Sequence, residues 1–125
     1  MAEVLVVEDD REVRELVRDE LTRRGLRVHT AGTDGAAYTL LNARPTGFDL
    51  LIADINLGSG TTGFDVARHA RRLNRAIKVL YISGMSAQLD RFGVEGGEMF
   101  PKPFSPVELA DRAMALVGGV SASES

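Results

Sequence analysis

The chain has 125 residues, 44% hydrophobic and 26% charged, which is the size and balance of one globular domain. Its net charge is −3 and its fifteen Lys and Arg residues are interleaved with acids, a pattern that does not favour direct binding to nucleic acid. The absence of cysteine excludes disulfides and thiolate chemistry, and without an apolar run near the ~20 residues that span a bilayer we predict a soluble, cytoplasmic protein.

Five short runs along the chain are predicted to form strands. Three are almost wholly apolar, as expected for strands buried on both faces of a sheet: residues 4–7, 50–53 and 79–82. A weaker strand is predicted at residues 26–31, and a fifth ends just before Lys102. Because helical patterns separate these runs, their order predicts a parallel sheet with helices on both faces.

The first three helices are predicted from apolar residues at helical spacing. The first runs from near Asp10 to Gly25, a residue suited to a left-handed cap. Its predicted inward face consists of Val13, Leu16, Val17 and Leu21. The second helix is predicted around residues 34–42 and the third around residues 66–73, with a solvated polar face rich in arginine.

The last two predicted helices flank the fifth strand. The fourth falls between Ser83 and Lys102, where three glycines predict a short or irregular helix. The fifth begins with Ser105 as N-cap and Pro106 in the first turn. Its predicted inward stripe consists of Ala110, Ala113, Met114 and Val117. Leu109 lies outside that stripe and is predicted to be exposed.

Acidic side chains follow two of the predicted strands. Glu8, Asp9 and Asp10 come directly after the first strand, and Asp54 comes directly after the third. If these strands are neighbours, the carboxylates meet at one edge of the sheet and raise one another's proton affinity unless a cation lies among them. An all-oxygen ligand set favours Mg²⁺ over zinc. Asp10 is interpreted as the cap of the first helix.

Two further polar groups are predicted to reach the same edge of the sheet. Ser83 ends the fourth strand, and Lys102 follows the fifth strand just before Pro103. A hydroxyl and an ammonium together suit the oxygens of a phosphoryl group. Because phosphoryl transfer needs mainly positioning and charge neutralisation, and a carboxylate can accept the group, Asp54 is the predicted nucleophile.

This ordered set resembles the receiver domain of two-component response regulators, the CheY-like superfamily, over residues 3–117. The resemblance implies an α/β, flavodoxin-like fold, a doubly wound five-stranded parallel sheet in the order 2-1-3-4-5 with five helices. It implies that Asp54 is phosphorylated, that Ser83 is the switch hydroxyl and that Lys102 binds the phosphoryl group. The implied Mg²⁺ ligands are Glu8, Asp9, Asp54 and the backbone carbonyl of Asn56.

The resemblance also implies partners. A histidine kinase or histidine phosphotransfer protein would donate the phosphoryl group, and a downstream protein target would read the conformational change, with no direct contact to nucleic acid or membrane. Such a domain catalyses its own phosphorylation and dephosphorylation without being a turnover enzyme. We place the domain at residues 1–118 and a flexible tail at 119–125, and we expect a stand-alone receiver because no output domain follows the last helix.

Other functions stay open at this point. A degenerate receiver would act as an interaction module without phosphorylation, although the intact acidic set argues against it, and the chain is also compatible with a receiver fragment of a hybrid histidine kinase. A flavodoxin-like FMN binder would need a Ser/Thr/Gly-rich loop after the first strand. A haloacid-dehalogenase-like phosphatase using Asp54 and Asn56 would carry its nucleophile after the first strand instead of the third.

The sequence departs from the receiver pattern in two places that concern signalling. Met99 occupies the position of the family's switch aromatic, and the segment from Asp54 to Gly63 is one residue longer than the usual loop. Methionine fills space without selecting one of two defined rotamers. We therefore expect signalling to depend on loop order. His29 and His69 are predicted to be isolated surface histidines without a role.

Overall fold

The computed structural model describes residues 2–57, 62–83 and 97–122, the last four of these by backbone alone. The strands are β1 (Glu3–Val7), β2 (Arg27–Ala31), β3 (Leu50–Asp54), β4 (Lys78–Ser83) and β5 (Glu98–Pro101). The helices are α1 (Arg11–Arg23), α2 (Asp34–Ala43), α3 (Gly63–Leu73) and α4 (Pro106–Ala122). No helix in this described part of the chain is long and apolar enough to cross a membrane.

All five strands are parallel and form one sheet in the order β2-β1-β3-β4-β5. The predicted α/β fold and strand order are therefore confirmed. Val7 of β1 lies opposite Ala53 of β3, so the residues that follow them, Glu8 and Asp54, meet at the same edge of the sheet. Asp54 is itself the last residue of β3. This edge is where a doubly wound sheet collects its functional groups.

The sheet separates two hydrophobic clusters. One cluster packs under α2 and α3 and contains the two largest fully buried side chains, Tyr81 and Phe48. The other packs under α1 and α4. Residues 4–7 and 50–53 are all fully buried, which matches their prediction as strands covered on both faces. Burial of each Val, Leu or Ile stabilises the fold by about 1.5–3 kcal/mol, and so holds the strand ends in place.

Two predictions about helix faces are wrong. Leu109 is completely buried in α4 and packs in the core, although it was expected to be exposed. It lies one turn before Ala113, so the inward stripe of α4 is wider than predicted. Leu16 was expected on the inward face of α1 but is 50% exposed, because the buried stripe follows Val17 and Leu21 and leaves Leu16 at its margin.

The described residues show one helix fewer than predicted, and the last helix extends beyond residue 118. The described residues contain four helices, and the predicted fourth helix falls within residues 84–96, which lie outside them. The last helix continues through Gly118 and Gly119 to Ala122, past the predicted domain boundary. Helical hydrogen bonding within the backbone carries the helix across both glycines even though glycine is a weak helix former. The flexibility of the 119–125 segment stays a prediction.

Helix boundaries follow the capping residues found in the sequence. The Asp10 carboxylate accepts hydrogen bonds from the backbone N–H groups of Glu12 and Val13 at the start of α1, which confirms Asp10 as a cap. Gly25 follows α1 with a φ of 90°, in the left-handed region that glycine adopts without strain. The Ser105 hydroxyl accepts from the backbone of Val107 at the start of α4.

Neither histidine is isolated, contrary to prediction. His29 Nε2 lies 3.0 Å from a Glu3 carboxylate oxygen, and Arg44 contacts the other oxygen at 2.6 Å. His69 Nε2 lies 2.7 Å from the Asn42 side-chain oxygen. These contacts join neighbouring strands and helices that are distant in sequence, which is why no local pattern indicates them.

Gly63, the first residue of α3, is buried directly against the end of β3. A Cβ atom at Gly63 would lie 2.4 Å from the carbonyl oxygen of Asp54 and 3.1 Å from the Cα of Ile55. These are backbone atoms that cannot rotate away. Gly63 N–H also donates to the Ile55 carbonyl at 3.0 Å. The glycine therefore allows α3 to begin in contact with the strand that carries Asp54.

We predict that Gly63→Ala lowers the free energy of unfolding by about 2–3 kcal/mol, because the added methyl overpacks a backbone contact. Gly35→Ala is the matched control, since the nearest atom to its Cβ is 3.9 Å away and Gly35 also lies in a first helical turn. The control is expected to gain about 0.5–1 kcal/mol. Urea unfolding measures both values, and equal stability of the two variants would contradict the close-contact argument.

Candidate functional site

Glu8 and Asp9, the acidic pair, lie where β1 ends and α1 begins. Glu8 is completely buried and its backbone N–H donates to the Ala31 carbonyl of β2 at 3.1 Å, so the β1–β2 pairing extends to this residue. Asp9 is exposed at the rim. The Asp10 backbone N–H lies 3.3 Å from a Glu8 carboxylate oxygen, and the Asp10 side chain caps α1. The short connection thus aims one acid inward and leaves the next at the surface.

Asp54 faces these acids from the end of β3, with only 4% of its surface exposed. Its two carboxylate oxygens have different partners. The backbone N–H of Asn56 donates to Oδ1 at 2.9 Å, and the Lys102 ammonium donates to Oδ2 at 2.8 Å. Two donors on a buried carboxylate fix its orientation.

Lys102 reaches the site from the end of β5. Its backbone N–H donates to the Ser83 carbonyl at 2.9 Å, which joins the ends of β4 and β5, and the Lys102–Pro103 peptide bond is cis. The Lys102 Nζ also lies 2.9 Å from Glu8 Oε1, in an ion pair that lacks the alignment of a hydrogen bond. One ammonium therefore bridges the buried carboxylates of Glu8 and Asp54.

The carboxylates of Glu8, Asp9 and Asp54 are close enough to share a cation. One oxygen from each lies within 4.8 Å of the others. All three donors are hard oxygens, and Glu8 Oε1 is buried without a well-aligned hydrogen bond. This donor set fits Mg²⁺, which takes one or two carboxylates and keeps water on its other positions.

Charge and burial shift the proton affinities at this site. Burial, together with the neighbouring Asp54 carboxyl, raises the pKa of Glu8 to about 8, although the Lys102 ammonium acts in the opposite direction. Burial alone would lower the pKa of Lys102, but the Asp54 and Glu8 carboxylates outweigh it and raise that pKa. The pocket thus holds more negative charge than one lysine offsets, and it favours a further cation or a proton.

The raised pKa of Glu8 predicts a pH-dependent stability in metal-free buffer. The folded state holds a proton on Glu8 that the unfolded chain releases near its ordinary pKa of 4.5, so this contribution is complete below that pH and is lost as pH rises through about 8. We expect the difference in unfolding free energy between wild type and Glu8→Gln to change by about 4 kcal/mol between about pH 5 and 8.5.

Chemical unfolding in EDTA measures this difference across the window. The pKa values of Glu3, Glu15 and Asp65 are lowered, so their contributions change at pH values below the window and do not obscure it. Parallel curves for wild type and Glu8→Gln would show that Glu8 has no raised pKa.

The arrangement corresponds to a known domain family. Residues 4–114 match the family model described as the response regulator receiver domain. This span includes the acids of the site, which are Glu8, Asp9 and Asp54, and also Ser83 and Lys102. The chain belongs to this family. It is thus a receiver domain of two-component response regulators, as its sequence pattern predicts.

Individual relatives agree with this assignment. The receiver is 38% identical over 117 residues to the transcriptional activator protein PfeR of Pseudomonas aeruginosa, covering 91% of this chain and 37% of PfeR. Among solved structures, it resembles the non-phosphorylated HemR receiver domain from Leptospira biflexa, with a TM-score of 0.81, 28% identity and 94% coverage of both chains.

A second solved structure is the response regulator TrrA of Thermotoga maritima in complex with Mg²⁺ and BeF. The TM-score is 0.79 at 27% identity, covering 93% of this chain and 99% of TrrA. The receiver spans about half the length, or less, of the curated relatives that it matches.

The structure brings most of the predicted residues of the receiver site together. Glu8, Asp9, Asp54 and Lys102 form one cluster. Ser83 is buried at the adjoining end of β4, and its role as the switch hydroxyl stays a prediction. Asn56 contributes its N–H to Asp54, whereas its carbonyl as a metal ligand also stays a prediction.

Met99 lies in β5 opposite Tyr81 of β4, half-buried against the cluster under α2 and α3. The neighbouring Phe100 packs on the other face of the sheet, as alternation along a strand requires. Phe100 therefore does not replace the missing switch aromatic of the receiver. The expected dependence on loop order concerns residues 58–63 and 83–87, of which 58–61 and 84–87 lie outside the described residues.

Arg14 is a site neighbour that the sequence analysis missed. Its guanidinium donates to the backbone carbonyl of Glu8 at 2.9 Å. The sequence does place Arg14 in the first turn of α1, next to the inward-facing Val13. That position directs its side chain toward the end of β1. A basic residue beside an apolar stripe is usually solvated, and the stripe alone does not indicate a backbone partner.

Proposed function

We propose that this receiver accepts a phosphoryl group on Asp54 in an Mg²⁺-dependent reaction and signals through the resulting change in conformation. The main support is the Asp54 carboxylate, which is buried, held at one oxygen by the Asn56 backbone and at the other by Lys102, and close to the Glu8 and Asp9 carboxylates. Such a group is oriented for attack and lies beside a candidate cation site.

The proposed reaction is a displacement at phosphorus. A carboxylate oxygen of Asp54 forms a new O–P bond, while the bond between phosphorus and the phosphohistidine nitrogen of the donor breaks and its electron pair stays on that nitrogen. The product is an acyl phosphate. Hydrolysis by water then releases inorganic phosphate and restores the Asp54 carboxylate, so the domain returns to its starting state without consuming any residue.

The charged residues around Asp54 have separate parts in this proposal. Glu8 and Asp9, with Asp54 and the carbonyl of Asn56, would hold Mg²⁺, which when bound neutralises charge on the phosphoryl oxygens. Lys102 would turn from the Asp54 carboxylate to an oxygen of the new phosphoryl group, at the end of a flexible stem. Ser83 would donate its hydroxyl to another oxygen.

The partners follow from the family and stay proposals. A histidine kinase or histidine phosphotransfer protein would supply the phosphoryl group. Relatives are named as transcriptional regulators, but this chain spans about half of their length or less, so transcriptional regulation is not assigned to these residues. We propose a protein target for the receiver itself, consistent with its net charge of −3.

Acetyl phosphate, a small phosphodonor, tests the proposed function without a known kinase. With Mg²⁺ present, intact mass spectrometry should show one added phosphoryl group, and with EDTA it should show none. The acyl phosphate should also be cleaved by hydroxylamine, which distinguishes it from a phosphoserine ester. Labelling that persists in EDTA, or that resists hydroxylamine, would contradict the proposal. No labelling at all would favour a receiver that signals without phosphorylation.

A further inference from the structure

Arg14 reaches back from the first turn of α1 to the acidic pair. Its Nη1 donates to the backbone carbonyl oxygen of Glu8 at 2.9 Å. Within residues 2–57, 62–83 and 97–122, Arg14 forms no ion pair with a carboxylate. Its strongest contact is thus to the backbone, and hydrogen bonds from a charged donor are about twice as strong as those between neutral groups.

The guanidinium of Arg14 has a place to lie because residue 32 is a glycine. A Cβ atom at Gly32 would lie 2.8 Å from Nη1, 3.4 Å from Cζ and 3.8 Å from Nη2 of Arg14. The backbone of Gly32 is not in the left-handed region, so no conformational need explains the glycine. A side chain at residue 32 would instead require the Arg14 guanidinium to move from its place. The position of the guanidinium thus depends on Arg14 and also on the absence of a side chain at Gly32.

These contacts fix the backbone at the acidic pair from several sides. The Glu8 N–H is bound by the Ala31 carbonyl, and the Glu8 carbonyl is bound by Arg14. On the far side of Asp9, the Asp10 N–H contacts the Glu8 side chain, and Asp10 caps α1. The exposed Asp9 carboxylate therefore projects from a peptide plane whose orientation Arg14 sets.

We infer that Arg14 is a positioning residue for the cation site, acting through the Glu8 carbonyl to fix the plane from which the Asp9 carboxylate approaches Asp54. This inference rests on the proposed function, since it takes the acidic cluster to bind Mg²⁺. Groups that orient metal ligands without touching the metal commonly change metal affinity about 10–100-fold when they are removed. Mg²⁺ keeps several waters and takes few protein ligands, so we expect the loss of affinity on removing Arg14 to lie at the lower end of that range.

The test is the Mg²⁺ dissociation constant, measured by amide NMR titration of the whole chain. Arg14→Met removes the donor and keeps the apolar stem, and we expect about tenfold weaker binding. Arg18→Met is the matched control, because it removes the same charge one turn further along α1, where Arg18 pairs with the exposed Asp19. The control should stay close to wild type. Without metal, Arg14→Met should also shift the Asp9 amide resonance.

The Gly32→Ala variant distinguishes the effect of the position of the Arg14 guanidinium from the effect of its charge. It keeps the arginine but pushes the guanidinium from its place, so it should weaken Mg²⁺ binding in the same direction as Arg14→Met. Arg14→Lys should restore part of the affinity at most, since an ammonium lacks the planar fork. Full rescue by lysine, an unaffected Gly32→Ala, or equal weakening in Arg18→Met would assign the effect to charge alone and overturn the inference.

The outcome also distinguishes this inference from the proposed function. If wild type binds Mg²⁺ and accepts a phosphoryl group while Arg14→Met and Gly32→Ala bind Mg²⁺ equally well, Arg14 is not a positioning residue and the proposed function stands. If wild type binds no Mg²⁺, both fail. Unfolding of each variant without metal shows whether a loss of Mg²⁺ affinity comes from misfolding. If Arg14→Met does not fold, the Mg²⁺ affinity of Arg14→Lys is measured in its place.

Discussion

Asp54→Asn is expected to reduce Mg²⁺-dependent labelling by acetyl phosphate about 10³-fold or more, which is to background in a mass spectrum. The amide is nearly the same size as the carboxylate, and its one carbonyl oxygen can keep one of the two hydrogen bonds, from Asn56 or from Lys102, so the fold should persist. What it loses is the anionic oxygen that would attack phosphorus in the proposed reaction. The comparison therefore isolates chemistry from packing.

Asp10→Asn is the matched control for this experiment. Asp10 lies in the same acidic run, but its side chain caps α1, and asparagine caps a helix about as well as aspartate. Its labelling should stay close to wild type. Residual labelling of Asp54→Asn at the wild-type rate would place the acceptor elsewhere, and peptide mapping after labelling would then locate it.

Lys102→Met is expected to destabilise the metal-free protein by about 2–3 kcal/mol at neutral pH. Removing one partner of a fully buried ion pair costs about 3–5 kcal/mol, and the lower figure applies here because 28% of the Lys102 side chain is exposed. In the described residues, no other cation contacts the buried oxygens of Glu8 and Asp54. The variant should also depend more strongly on Mg²⁺, because a ligand that binds only the folded state stabilises it.

The chain contains one other lysine, Lys78, which is exposed at the start of β4 and supplies the control. Lys78→Met should stay within about 0.5 kcal/mol of wild type, as most exposed substitutions do. Thermal unfolding of both variants with EDTA and with Mg²⁺ gives the four values needed. A Lys102→Met protein as stable as Lys78→Met in EDTA would show that the bridging ammonium contributes nothing to the metal-free fold.

The fold was predictable from sequence because its signals are local. Apolar runs of about five residues, the Asp10 and Ser105 caps and the left-handed Gly25 each depend on a few neighbouring residues. The meeting of Glu8 and Asp54 was also predictable, since parallel strands that are neighbours in the sheet must end at the same edge.

Other features depend on distances that no local pattern contains. The contact between Arg14 and Gly32 arises from the packing of α1 beside β2, and the contact of Gly63 with Asp54 arises from the start of α3. Leu109 was misassigned because an apolar stripe of four residues underestimates how much of α4 faces the core. Sequence periodicity gives the direction of a helix face, whereas its width depends on what packs against it.

Hydrogen bonds join the two ends of the connection between β3 and α3. Asn56 and Thr62 pair as an antiparallel bridge, and Gly63 N–H bonds the Ile55 carbonyl. These contacts fix the two ends of the connection, and loop-closure entropy grows only slowly with length. The residue by which this segment exceeds the usual loop can therefore be accommodated without moving Asp54. For protein engineers, this connection is a natural place to insert a peptide tag or a sensor segment beside the proposed phosphorylation site.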